Sequence, residues 1–499
     1  MAGYKSGIDR RQIEMSSLED KVQVESMARV IDLFIEVVDL EKLGFSKCKP
    51  AATGRPSYPP KAMCKLYVYG YENGIRSSRK LERETLCNIE VMWLMNSLTP
   101  DYKTISEFRR ENTRPLQKLF REFVKLCKSW NLVEGELIAV DGTKIKASNN
   151  KKNNFSRKKL DERLARLDEK INNYLSEMDA FDQNIETEQT TNIAELQKLL
   201  GRKELYEKYK KQLDESGANE LSTVDPDARL MGNNRGGVEV SYNVQSAVDG
   251  KHKIIVEHDV SLNPSDQHQL GIMVKKVKRT LKLHRFTVLA DKGYYNGEDL
   301  LRLKKYKVSA IVAKQKPSDA KNLPEKFRSE KFLYNESTDT YICPSGQVLN
   351  TPSKKNAKRR NYFNKTACAN CPYKTVCISG IVKYRTITRS QYSKIYEETD
   401  KRFKENKELY SQRQQIVEHP LGTVKHSMNG RYFLVRTRSK VRTEIALLFL
   451  GYNLKRAVNI LGFEGIMAKL NSLFCLFSMF TKNILLSLLR WQNFVKLTT

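Results

Sequence analysis

Two short apolar runs in this chain lead straight into an aspartate: Leu137-Ile138-Ala139-Val140-Asp141 and Val288-Leu289-Ala290-Asp291. Runs of this length and composition read as strands. In an α/β sheet the strand ends are where reactive side chains converge on a crevice. A carboxylate set there is costly unless it is paired or metal-bound. Either aspartate alone could cap the turn that follows it. Two in matched context, followed later by a helical Glu418, are harder to assign to turns.

The segments around them alternate in periodicity. Residues 1–130 carry helical spacing, with a turn-rich break at Gly54-Arg55-Pro56-Ser57-Tyr58-Pro59-Pro60 and a basic run at Arg76-Ser77-Ser78-Arg79-Lys80. Short helices with basic turns suit a DNA-binding module of helix-turn-helix type or a helical dimerisation domain, and the sequence leaves the two open. The chain from 131 to 314 is β-rich, with a hairpin signal at Asp249-Gly250, a helix over 266–282 and strands at 286–290 and 308–312. A charged helical insertion, about 155–217, interrupts it. There Leu160, Leu164, Leu167, Ile171, Tyr174, Met178, Phe181 and Ile185 form a heptad seam, onto which Ile193–Leu213 could fold back. Residues 315–400 hold a cysteine cluster, 401–462 are helical and carry Glu418, and 463–499 form an apolar helical tail. Strand, hairpin, helix, strand, strand and helix make a mixed α/β order.

With 88 Lys and Arg against 58 Asp and Glu in 499 residues, the formal charge is +30. An excess of that size repels itself unless it serves a polyanion, and nucleic acid is the expected partner. A purely structural nucleic-acid binder would be shorter. Residues 1–41 are charged throughout and lack a secretory signal, so the cytoplasm is the expected compartment. Lys482 and Asn483 split the apolar stretch Leu473–Leu489 into runs too short to span about 30 Å of hydrocarbon, so no membrane association is expected.

Two Asp and one Glu can hold divalent metals for in-line displacement at phosphorus, and Mg²⁺ or Mn²⁺ suits all-oxygen ligands better than Zn²⁺. The blocks Asp141-Gly142-Thr143-Lys144, Ala290-Asp291-Lys292-Gly293-Tyr294-Tyr295 and Val417-Glu418-His419-Pro420-Leu421-Gly422-Thr423-Val424-Lys425 resemble those of the bacterial insertion-sequence DDE transposases. So do Gly54–Leu98, with Tyr69-Gly70-Tyr71, and Asp225-Pro226-Asp227-Ala228-Arg229 followed by Tyr242-Asn243-Val244-Gln245. The resemblance covers nearly the whole chain. It implies a ribonuclease-H-like catalytic core, Mg²⁺ dependence, and Asp141, Asp291 and Glu418 as catalytic metal ligands. It further implies double-stranded DNA as partner and a homodimer when active. On the helix of Glu418, Tyr410, Arg413 and Lys425 take places similar to the family's Tyr, Arg and Lys, with Arg413 one residue further from the Glu than the pattern has. Cations there would hold phosphates. Lys144, Arg76 and Arg79 are further residues expected on DNA.

Cys343, Cys368, Cys371 and Cys377 have the ligand number of a structural Zn²⁺ site, looser in spacing than two clean C-x2-C knuckles. Reduced thiols without metal are the alternative. The basic stretch Lys354–Arg360 loops out between them. The expected function is transposition: binding of terminal inverted repeats, strand cleavage and strand transfer. A metal-dependent nuclease of the same fold and an inactive DNA-binding relative are the competing readings.

Overall fold

In the computed structural model the chain is described except for residues 1–8, 10, 14, 51, 55, 182–188, 233–235, 315–322, 355–356, 379–381 and 499, and the side chains of 177–193 and 476–499. The N-terminal part is helical: α1 (Leu18–Lys21), α2 (Met27–Val37), α3 (Leu40–Leu43), α4 (Pro60–Glu72), α5 (Ser78–Cys87), α6 (Ile89–Leu94), α7 (Tyr102–Glu111) and α8 (Thr113–Ser129). In α8, Leu116, Leu119, Phe120, Phe123, Val124 and Cys127 recur at three- and four-residue steps and are all buried. Local capping fixes the starts, as where Asp101 accepts from Thr104 N at 2.7 Å before α7.

Next come β1 (Leu137–Lys146), β2 (Asn154–Ser156), α9 (Arg157–Phe181), α10 (Gln189–Ser216), β3 (Glu220–Ser222) and β4 (Arg229–Gly232). β5 (Val238–Asp249), β6 (Ile255–Ser261), α11 (Leu270–Leu281), β7 (Phe286–Ala290), α12 (Gly297–Lys305) and β8 (Val308–Val312) follow. The main sheet is mixed, in the order β4-β5-β1-β7-β8 with β6 also on β5. β1, β7 and β8 are parallel, while β5 runs antiparallel to β1, β4 and β6. The Asp249-Gly250 turn joins β5 to β6, and its carboxylate accepts from Gly135 N at 2.8 Å.

α9 and α10 pack on each other as the expected hairpin over a small core of Phe155, Leu160 and Leu213. Of the heptad seam, the side chains of Met178 and Phe181 and the whole of Ile185 lie outside the described residues. A second small unit is built from β9 (Leu333–Asn335), β10 (Thr340–Ile342), β11 (Val348–Leu349), β12 (Arg359–Tyr362), α13 (Lys365–Ala369), α14 (Lys374–Cys377) and β13 (Ile387–Ser390). Its core is Phe332, Tyr341, Leu349, Tyr362 and Ile387.

The chain closes with α15 (Ser393–Glu405), α16 (Lys407–His426) and α17 (Arg438–Thr498). α17 bends at Gly462, whose φ of 72° is open to glycine and strained for other residues. Its start is capped from the sheet side: Thr437 N donates to Asp225 (3.1 Å) and Arg438 N to Asp227 (2.8 Å). Negative charge at a helix N-terminus is favourable, which gives the Asp225-Pro226-Asp227 motif a structural task. α17 packs on α2, α4 and α8, so one apolar core runs from the N-terminal helices into the sheet. Among the described residues no helix is long and apolar enough to cross a membrane, and part of the apolar tail lies outside them.

Candidate functional site

The parallel register of β1 and β7 pairs Val140 with Ala290 and ends there. Asp141 and Asp291 are the next residue on each strand, so the two backbones deliver their carboxylates side by side. β1 itself does not end at Asp141, as the apolar run suggested. It continues to Lys146, because the longer β5 keeps pairing with it through Lys146↔Ser241. Asp141 is thus a mid-strand residue whose backbone is paired on one side only. Asp291 leaves its strand directly, and its side chain accepts from Lys292 N at 2.6 Å.

Helix α16 covers this point, packing on β1, β5 and β7. Arg413 Nη1 stands 3.8 Å from Asp141 Oδ1, with the two side chains 17% and 27% exposed. The Arg413 guanidinium also lies over the Tyr410 ring, 5.9 Å from its centroid. Burial pushes the Asp141 carboxyl up to about 6; Arg413 and Gly142 N–H oppose the rise, and Asp266 and Asp291 add to it. Burial holds Lys425 below its ordinary value, against the attraction of Asp141. Burial likewise raises the Tyr410 hydroxyl. Tyr410, Arg413 and Lys425 therefore do gather at the aspartates, although Arg413 is one residue out of the family's spacing.

Glu418 is exposed on α16, and its carboxylate accepts from Gln414 Nε2 at 2.7 Å. Among the described residues no three His, Cys, Asp or Glu side chains stand close enough to hold one metal ion together. The donor chemistry still fits a hard cation: the Asp141–Asp291 end is oxygen-only, and Asp141 is desolvated, with Arg413 and Lys425 as neighbouring positive charges.

Arg76 is not on a DNA-facing surface. It is 2% exposed, donates to Glu444 Oε1 (2.9 Å) and Tyr432 O (2.8 Å), and stacks on the Tyr432 ring. The basic run that looked like a surface turn is drawn inward because Glu444, fully buried on α17, needs a cation. Arg79 stays exposed, 5.0 Å over the Tyr102 ring. Lys144 is exposed on β1. Three residues from Asp141 on an extended strand, it projects to the other face of the sheet.

The four clustered cysteines are half-buried and unbridged, and Cys343 and Cys377 pack on the small unit's core. Burial raises the Cys377 thiol, Arg385 opposes, and Cys368, Cys371 and Cys343 raise it further, yet among the described residues no three of the four are placed to hold one metal ion. Of the basic stretch beside them, residues 355 and 356 lie outside the described residues.

Asp266 escaped the sequence reading because it sits in the polar segment Asn263-Pro264-Ser265-Asp266-Gln267, with no apolar run to mark it. The signal that could have exposed it is the glycine close behind each aspartate, Gly142 and Gly293.

Two family models match the chain: a transposase domain (DUF772) over residues 16–111 and a transposase DDE domain over residues 342–458. Neither reaches residues 112–341, where Asp141 and Asp291 stand. No curated protein matches the chain significantly. Among solved structures, a piggyBac transposase in a synaptic complex with hairpin DNA matches with 10% identity, 90% of this chain and 79% of that one. Its TM-score of 0.32 is too low to carry an argument about fold or site.

Proposed function

We propose that this chain, which belongs to the insertion-sequence DDE transposases, binds the ends of its element as double-stranded DNA, cleaves them and joins them to target DNA. The observation that carries the reading is the pairing of Asp141 and Asp291 at the end of the β1–β7 register, under a helix bearing Tyr410, Arg413 and Lys425. The strand set supports a ribonuclease-H-like core: a long first strand flanked by an antiparallel hairpin on one side and two parallel strands on the other. The net charge of +30 supports a polyanionic partner.

In this reading Asp141 and Asp291, with Glu418 as third acid, would hold Mg²⁺ or Mn²⁺. Bound metal supplies charge stabilisation for in-line displacement at phosphorus and activates the attacking oxygen without a side-chain base. Arg413 and Lys425 bind phosphate oxygens. A phosphate that drew Arg413 away would free Asp141 to act as a ligand, so substrate binding and metal binding favour each other. Glu418, on the same helix as Arg413 and Lys425, would supply the third carboxylate. Lys144 and Arg79 contact DNA further out. The four cysteines would be the ligands of a structural Zn²⁺ if they closed together around it, and two chains would act together on two element ends in the cytoplasm.

The test incubates the protein with Mg²⁺ and duplexes carrying the element's terminal repeats. Strand-transfer products that disappear in Asp141→Ala, Asp291→Ala and Glu418→Ala, with DNA binding retained, are expected. Cleavage without joining would make the chain a nuclease, and binding without chemistry an inactive relative.

A further inference from the structure

Adjacent residues of an extended strand project to opposite faces. Asp141 faces α16, so position 142 faces the other side of the sheet. A Cβ built on Gly142 would fall 2.4 Å from Asp266 Oδ1, 2.6 Å from Gln245 Nε2 and 3.1 Å from Asn243 Oδ1. No side chain fits there, because the Asp266 carboxylate already lies against the strand. At Gly293, two residues after Asp291, a Cβ would touch Asp266 Oδ2 at 3.5 Å and Asp266 Cβ at 3.6 Å. One side chain thus lies against the backbone behind both aspartates.

Two amides hold it. Asn243 Nδ2 and Gln245 Nε2 each donate to Asp266 Oδ1 at 2.8 Å. Both project from the same face of β5, which pairs with β1 at Lys144↔Asn243 and Gly142↔Gln245. Gln245 in turn accepts at Oε1 from the fully buried Tyr294, 2.5 Å away, on the turn that follows Asp291. Among the described residues Asp266 receives two neutral amide donors and no ion pair. A carboxylate kept beside two others without a counter-ion is a cost, and a strut that sets their spacing is a reason for it.

We propose that Asp266 is a positioning residue of the site: wedged between Gly142 and Gly293 and held by Asn243 and Gln245, it fixes how far apart Asp141 and Asp291 stand. The inference rests on the transposase reading for its catalytic consequence, but not for its structural one. A misplacement on the order of 1 Å at reacting groups costs roughly 10²-fold in rate.

The test compares full-length Asp266→Ala and Asp266→Asn with the parent. Asparagine keeps the shape and one oxygen for the two amides, while alanine removes the wedge. Single-turnover cleavage of a repeat-end duplex in Mg²⁺ should fall by about 10²-fold in Asp266→Ala and by less than about tenfold in Asp266→Asn, with DNA affinity unchanged in both. Amide hydrogen exchange, which needs no activity, should rise in segments 139–146 and 288–296 for the alanine variant only. Equal loss in both variants would overturn the strut and make the charge itself the requirement. Unchanged rate and exchange in Asp266→Ala would also overturn it. A parent that cleaves no DNA would sink the transposase reading instead, leaving exchange to decide the strut.

Discussion

Replacing Arg76 by methionine removes the cation from a pair in which Glu444 is fully buried and Arg76 is 2% exposed. Two hydrogen bonds go with it, to Glu444 Oε1 and to Tyr432 O. Glu444 keeps the backbone donors Leu434 N (3.1 Å) and Val435 N (3.2 Å) and the field of Arg109, but loses its only direct guanidinium among the described residues. Breaking a buried pair from one side costs about 3–5 kcal/mol, because it strands the other charge. Glu444 is already raised by burial, and loss of Arg76 raises it further. The folded variant then binds a proton that the unfolded chain, with an ordinary glutamate near 4.5, has released. Stability of the variant must therefore fall as pH rises from about 5 to 7, and its deficit against the parent must shrink toward acid pH. Adding Glu444→Gln, which is neutral yet still accepts from Leu434 and Val435, should recover part of the loss. Urea melts followed by circular dichroism at pH 5 and 7 read all three effects in the first unfolding transition. An unchanged midpoint in Arg76→Met, or a deficit independent of pH, would refute the argument.

His258 is sealed between Phe120 and Phe449, at ring distances of 5.1 and 5.7 Å, with neither ring nitrogen hydrogen-bonded among the described residues. Burial pushes it down to about 3, Lys276 and Arg121 act the same way, and Glu257 and Asp259 oppose them. The unfolded chain protonates first, so stability is lost as pH drops below about 6.5, by roughly 1.4 kcal/mol per unit. His258→Leu should flatten that slope, and parallel pH curves for variant and parent would count against it. Gly142→Ala should depress cleavage about as much as Asp266→Ala, since its methyl falls on the carboxylate; full activity would show that the wedge yields. Fully reduced protein should release about one Zn²⁺ per chain to a chelator, and Cys371→Ser with Cys377→Ser should release none. A metal-free parent would end the zinc reading.

The strands were legible because their apolar runs are uninterrupted: 286–290 and 308–312 match the observed β7 and β8. The helical hairpin was legible from its leucine spacing, and Asp249-Gly250 from turn chemistry. The continuation of β1 past Asp141 was not, because Asp141-Gly142 interrupts the apolar run and reads as a turn, while pairing with β5 carries the strand on to Lys146. Arg76 misled for a similar reason. A basic run between helices reads as surface, and only tertiary packing reveals a buried glutamate 368 residues away. Tyr410, Arg413 and Lys425 were singled out by their likeness to the family's helix, with Arg413 one residue off its spacing, and the structure sets Arg413 beside Asp141. Asp266 was not, since its importance lies in three-dimensional contact with two glycines.

The half-paired stretch of β1 sets a physical scale. On the side facing away from β5, the strand is paired as far as Val140 and touches chain again at Lys146, bridged to Tyr432. Between these points the free edge runs for about five residues, roughly 16–17 Å of strand rise. The stretch that carries Asp141 is therefore pinned by backbone at both ends, which limits how far that carboxylate can shift along the sheet edge.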